Sequence, residues 1–234
     1  MFQQVRVSPS ILSADFMDMG AEVEMMERSG ADWIHVDVMD GHFVPNLTMG
    51  VPLVKQLKAR TDLFLDVHLM ISNPLRQIPW FADAGADMIT FHAEAVSDDE
   101  MKQAIDLVRE LGCEAGVAIK PNTPAAAIGS VIPLLDMVLV MSVEPGFSGQ
   151  SYIEGSEDKV AEIAAMSREL GVSPIIQVDG GIGMGTLSKV VSAGADCLVC
   201  GNAVFAASSP EDAIASIKRA AEEARASAIQ QAGA

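Results

Sequence analysis

Basic residues are scarce in this chain. Lysine and arginine number 15 against 32 aspartates and glutamates, a formal net charge of −17 with a pI near 4.4. That balance argues against nucleic acid or an anionic membrane surface as a partner, because a polyanion meets net repulsion. An anionic small molecule would need a local site that overcomes the global field. Cysteine is also rare, with only Cys113, Cys197 and Cys200. Cys197 and Cys200 have zinc-like spacing, yet no second pair exists. They lie in the apolar run Cys197-Leu198-Val199-Cys200, where odd separation on a strand turns the two thiols to opposite faces. Buried packing cysteines in a reducing compartment are the expectation. No apolar run approaches the ~20 residues of a membrane span. The opening Met1-Phe2-Gln3-Gln4-Val5-Arg6 lacks the apolar stretch and small-residue cleavage site of a secretory signal. These absences predict a cytoplasmic protein.

What the chain does contain is an ordinary globular composition, 50% hydrophobic and 20% charged, and a recurring junction. A helix-like segment runs into Gly-Ala-Asp and then a short apolar stretch at residues 30–34, 85–89 and 194–198. Glycine there ends a helix in the left-handed conformation before a strand begins. Helix, glycine, strand, repeated, describes parallel β/α units. Eight strands are predicted: Val5–Leu12, Trp33–Val38, Leu63–Met70, Met88–His92, Ala115–Ile119, Met137–Ser142, Pro174–Val178 and Cys197–Gly201. Helical patterns fall near 16–29, 51–59, 75–84, 98–111, 124–132, 156–170, 184–193 and 210–228. Eight units of about 29 residues fit a strand, a helix and two loops. The α/β class and a single (β/α)8 TIM barrel over residues 1–234 follow. A doubly wound sheet would want a Gly-x-Gly-x-x-Gly turn after the first strand, and Ser8-Pro9-Ser10 stands there instead.

Barrel enzymes gather reactive groups at the C-terminal ends of their strands. His35 and Asp37 are two apart on strand two, so their side chains share a face. His68 on strand three and Asp179 at the end of strand seven join them at the same mouth. Any one of these could be a hydrogen-bonded core residue. Two imidazoles and two carboxylates at matching strand ends instead make a competent site for one divalent metal ion, Zn²⁺, Fe²⁺, Mn²⁺ or Co²⁺. Gly146, Gly149, Gly180, Gly181 and Gly201 follow strands six to eight. Each alone could merely shape a tight turn. Together they suit a phosphate cradle of backbone N–H groups.

Several segments closely resemble the ribulose-phosphate 3-epimerase family. They are Ser8-Pro9-Ser10-Ile11-Leu12-Ser13-Ala14-Asp15-Phe16, the twelve residues from His35 to Asn46, Asp66-Val67-His68-Leu69-Met70, the eight from Val143 to Gln150, and Val178-Asp179-Gly180-Gly181-Ile182. The resemblance implies an enzyme interconverting D-ribulose 5-phosphate and D-xylulose 5-phosphate through a cis-enediolate. It implies Asp37 and Asp179 as the acid/base pair, and His35, Asp37, His68 and Asp179 as the metal ligands. Ser10 and His68 would touch substrate. Gly146, Phe147, Ser148, Gly149, Gly180, Gly181, Gly201 and Asn202 would surround the phosphate, and Met39, Met70 and Met141 would cap the reacting carbons. A homo-oligomer is implied as well.

Two positions depart from the family pattern. Ser148 replaces the usual second-last glycine of Pro-Gly-Phe-Gly-Gly-Gln, and Asn202 stands where serine follows Gly201. These changes leave the metal and acid/base set intact and bear on substrate identity. The nearest rival reading is a 3-epimerase of another ketose phosphate, such as D-allulose 6-phosphate. A lyase related to hexulose-phosphate synthase would want a lysine near the acids of strands two and three, and Ile34–Gly41 and Leu65–Met70 contain none.

Overall fold

A computed structural model of the protein describes residues 4–232. Eight parallel strands form its core: β1 (Arg6–Pro9), β2 (Trp33–Met39), β3 (Phe64–Met70), β4 (Met88–His92), β5 (Glu114–Ile119), β6 (Met137–Met141), β7 (Ile175–Asp179) and β8 (Cys197–Cys200). The hydrogen-bonded order runs β1-β8-β7-β6-β5-β4-β3-β2. The remaining seam, between β1 and β2, closes through one parallel bridge from Ser10 to His35. The result is the expected (β/α)8 barrel. Around it lie α1 (Met19–Arg28), α2 (Val51–Lys58), α3 (Pro74–Asp83), α4 (Asp98–Glu110), α5 (Ser156–Glu169), α6 (Leu187–Ala193), α7 (Asn202–Phe205) and α8 (Pro210–Ala232).

Two expectations need correction. Strand one stops at Pro9 instead of reaching Leu12, the Ser10 N–H making the last bond to β8 at the Cys200 carbonyl, 3.1 Å. The chain turns there into a 3₁₀ turn, Ile11–Ser13, whose Leu12 N–H is accepted by Ser10 Oγ at 3.3 Å. The helix predicted near 124–132 is absent. Pro124 and Pro133 cannot donate, and the segment forms two 3₁₀ turns, Ala125–Ile128 and Ile132–Leu134.

The Gly-Ala-Asp repeat does more than cap helices. The Asp32, Asp87 and Asp196 backbone N–H groups donate to the carbonyls of Val7, Leu65 and Ile176 on the preceding strands, at 3.0, 3.1 and 2.7 Å. Their carboxylates accept the N–H of those same three residues at 2.8, 2.8 and 3.2 Å. Asp136 repeats the double bond with Ala115. Each side chain thus extends a ladder by one rung at the barrel floor. A helix-borne cation neutralises each: Lys218 on Asp32, Lys58 on Asp87, Arg109 on Asp136 and Arg225 on Asp196.

Inside the barrel, Trp33, Met88, Met137 and Cys197 from alternate strands form an apolar floor layer. Cys200 lies in the main core outside the strands, so the two thiols do face opposite ways. Above the floor the interior turns polar. Asp66 is fully buried, and its Oδ2 accepts from Gln177 Nε2 at 2.6 Å and from Ser8 Oγ at 3.5 Å. That polar layer is the base on which the mouth is built.

Candidate active site

His35, Asp37, His68 and Asp179 meet at the C-terminal end of the barrel. One ligand atom from each lies within 4.8 Å of all the others. The imidazoles form the base of the group. His35 Nδ1 lies 2.7 Å from Asp66 Oδ2, which turns its Nε2 toward the carboxylates, 3.4 Å from Asp37 Oδ1 and 3.9 Å from Asp179 Oδ2. His68 presents Nδ1 at 3.3 Å from Asp37 and 3.9 Å from Asp179. Ser10 Oγ donates to Asp37 Oδ2 at 2.5 Å, tying the seam of the barrel to the site.

The electrostatics call for positive charge. Burial disfavours a charged His35, but Asp66 and Asp37 outweigh it and raise its pKa well above the ordinary value. Asp37, despite burial, is held far below the usual carboxylate range by His35 and His68. Asp179 is pushed up to about 6 by burial and by the charge of Asp37. His35 Nε2 is buried with no hydrogen-bond partner, a loss that an imidazole aimed at a cation does not suffer. Two nitrogens and two carboxylate oxygens match the donor preferences of a divalent transition metal. This buried group could hold one such ion.

Above the four donors opens a cavity of about 320 Å³. Ser10, Asp37, Met39, Met70, Met141 and Asp179 form its deep end. Gly146, Phe147, Ser148 and Gly149 after β6, Gly180 and Gly181 after β7, and Gly201 and Asn202 after β8 line the rest. Every residue singled out in the sequence therefore borders this space except His35 and His68, which lie beneath it, fully buried. The three methionines are at most 3% exposed, while Phe147 is 56% exposed at the rim. Among the described residues, no lysine or arginine lines the cavity. Gly181 has φ +64° and any side chain there would collide with the backbone of Tyr152, so the loop can hold its course only with glycine.

The two departures from the family pattern touch each other. Ser148 Oγ donates to Asn202 Oδ1 at 3.2 Å and lies 2.5 Å from Ser13 Oγ. They form one polar chain across the glycine-rich end.

Other residues that shape the site had no role in the sequence reading. Asp40 Oδ1 accepts the N–H groups of His42 and Phe43, and its Oδ2 accepts both the N–H and hydroxyl of Ser72. Burial would raise its pKa, but the N–H groups of Ser72, Phe43 and His42 lower it to about 2. It pins the loop after β2 to the loop after β3. Asn46 Nδ2 donates to the Gly146 carbonyl at 3.0 Å, joining that loop to the glycine end. Ser142 Oγ donates to the Gly180 carbonyl at 2.6 Å. Asp40 and Asn46 stood within the matched segment, which was the available signal. Asp66 and Gln177 act only through contacts that strand register creates.

The profile described as the Ribulose-phosphate 3 epimerase family matches residues 6–205. Among curated proteins, the chain is 49% identical over 212 residues to the chloroplastic ribulose-5-phosphate-3-epimerase of Arabidopsis thaliana, covering 91% of this chain and 75% of that one. It is 47% identical over 215 residues to ribulose-phosphate 3-epimerase of Bacillus subtilis, covering 92% and 98%. Among solved structures, KGPDC from Streptococcus mutans superposes with a TM-score of 0.70 at 15% identity, over 94% of this chain and 99% of that one. A 3-hexulose-6-phosphate synthase gives 0.68 at 18% identity, over 93% and 99%. At those identities the structural likeness speaks for the fold alone.

Proposed function

Since the chain belongs to the ribulose-phosphate 3-epimerase family, we propose that its barrel mouth interconverts D-ribulose 5-phosphate and D-xylulose 5-phosphate, with Asp37 and Asp179 carrying the protons. It is an isomerase acting on carbohydrates. The observation that carries the residue assignment is the pair of carboxylates at the end of one cavity with opposite proton affinities, set beside a buried imidazole nitrogen that lacks a partner.

Inversion at C3 requires one group to take the proton and another to return one to the opposite face. Two carboxylates do this without turning the intermediate over. In the metal-free site burial and Asp37 raise the Asp179 pKa to about 6, a high proton affinity for a carboxylate that a bound cation would lower. Asp37 stays ionised, oriented by Ser10, His35 and His68. The roles exchange when the reaction runs backwards. His35, Asp37, His68 and Asp179 would hold a divalent ion, Zn²⁺, Fe²⁺, Mn²⁺ or Co²⁺, which would supply Lewis-acid stabilisation of developing negative charge. Met39, Met70 and Met141 keep water from that end. Gly146 to Gly149, Gly180, Gly181, Gly201 and Asn202 hold the phosphate through backbone N–H groups, in a cavity lined, among the described residues, by no cationic side chain.

A net charge of −17 supports a protein with no nucleic acid partner. Among the described residues no helix is long and apolar enough to cross a membrane. The family resemblance supports a cytoplasmic homo-oligomer.

The test is a coupled assay with ribulose 5-phosphate and allulose 6-phosphate side by side, before and after chelation. Turnover of the pentulose phosphate, lost on chelation and restored by a divalent ion, is the expected result. Preference for the hexulose phosphate, or turnover indifferent to chelation, would sink the corresponding half of the proposal.

A further inference from the structure

A third buried histidine stands behind the donor group. His92, the last residue of β4, is fully buried and does not border the substrate cavity. Its Nε2 lies 2.9 Å from His68 Nε2, and its Nδ1 lies 3.0 Å from Glu94 Oε2. Glu94 acts as an acceptor on its other oxygen too, taking the Lys120 N–H at 2.7 Å and the Thr123 hydroxyl. Phe43 packs against the His92 ring at 4.8 Å, and Lys120 Nζ sits 3.9 Å from the Phe43 ring centre, so the two histidines are buried while Glu94 at the outer end reaches the surface.

With a cation facing His68 Nδ1, in place of the hydrogen that this atom can otherwise give to Asp37 Oδ1 at 3.3 Å, these contacts admit one direction of donation. A carboxylate accepts, so the neutral His92 carries its hydrogen on Nδ1 and a lone pair on Nε2. That lone pair needs a donor, which only the Nε2–H of His68 provides. His68 then has its own lone pair on Nδ1, the nitrogen facing Asp37 and Asp179. The opposite tautomer of His68, with a hydrogen on Nδ1, would require His92 to donate from Nε2 and set its bare Nδ1 against the Glu94 carboxylate. Asp66 does the same for His35 in a single step, accepting from Nδ1 and freeing Nε2.

We propose that His92 and Glu94 are positioning residues for the metal, fixing His68 in the tautomer and orientation that present Nδ1 to the ion. This rests on the metal reading above. Outer partners of this kind typically change metal affinity by about 10–100-fold when removed. Neither residue is placed to touch the reacting carbons.

The test uses the full-length protein stripped of metal by chelation. His92→Phe keeps a ring against Phe43 but offers no acceptor, and Glu94→Gln weakens the far anchor. We expect Zn²⁺ affinity, read by competition with a chromophoric chelator, to fall about 10–100-fold in His92→Phe and by less in Glu94→Gln. The visible spectrum of the Co²⁺ form should shift. In Zn²⁺-loaded wild type, imidazole ¹H–¹⁵N spectra should show His68 carrying its proton on Nε2, hydrogen-bonded to His92, and that signal should shift in both variants. A Zn²⁺-loaded wild type whose His68 Nε2 carries no proton, or unchanged affinity in a folded His92→Phe, overturns the proposal. If His92→Phe fails to fold, Glu94→Gln decides by the same readings. A wild type that takes up no divalent ion overturns the metal reading together with this one. A wild type that binds while the variants match it overturns only the relay.

Discussion

Asp179 should destabilise the metal-free fold that carries it. Its pKa rises from the ordinary 3.8 to about 6, first through burial and then through repulsion from Asp37. The folded protein therefore binds this proton more tightly than the unfolded chain does. The stability that results is fully present below about pH 4, is lost as pH rises towards 6, and stays lost above. At 1.36 kcal/mol per pH unit, the shift corresponds to about 3 kcal/mol. Asp179→Asn keeps the shape and removes the titration. Compared with wild type in chelator, it should be little changed at pH 4 and more stable by up to about 3 kcal/mol at pH 8. Urea denaturation followed by circular dichroism from pH 4 to 8 measures this directly. Saturating divalent ion should reverse the order, because wild type gains binding free energy that the variant forfeits. A difference that does not vary with pH, or an asparagine variant less stable than wild type at pH 8, would refute the reasoning.

Asp37→Asn should lower epimerisation by about 10²–10⁴-fold with an unchanged circular dichroism spectrum, since it removes a proton-carrying group and spares the core. Gly181→Ala should cost about 1–3 kcal/mol and raise KM, because its positive φ and the Tyr152 backbone leave no room for a methyl group; an unchanged melting temperature would contradict it. Asp87→Ala strips the Leu65 N–H and Lys58 of their partner at the barrel floor. A loss of about 1–3 kcal/mol with unaltered kcat is expected, read by denaturation beside steady-state kinetics. Ser148→Gly and Asn202→Ser should be non-additive in kcat/KM by about 1 kcal/mol, as expected of two hydroxyl and amide groups that bond each other. Additive effects would show that the two departures act separately.

Most of the mouth was legible in the sequence because barrel strands are short and end where chemistry begins. His35 and Asp37 could be placed on one face by spacing alone, and the glycines after β6 to β8 by their crowding. Contacts set by register were not legible. Nothing in the local sequence says that Asp66 lies opposite His35, or that Gln177 reaches across the barrel to it. The same holds for His92, which reads as one more polar residue at a strand end until the ring of His68 is placed beside it. Gly-Ala-Asp was recognised as a helix stop, yet its aspartate pairs with a strand some 20 or more residues earlier. The helix expected near 124–132 failed for a local reason, the two prolines, that periodicity had outweighed.

A cavity lined, among the described residues, by no lysine or arginine has a consequence for encounter rates. The substrate approaches as a phosphate anion toward a protein of net charge −17, and among the described residues no cationic side chain lines the cavity to draw it in. Amide dipoles act only at close range, so they retain the phosphate after arrival without accelerating its arrival. Dissolved salt therefore works in the opposite sense to its usual effect on charge-steered enzymes. By screening long-range repulsion within ~10 Å at 0.1 M, it should hasten association while leaving the short amide contacts largely intact.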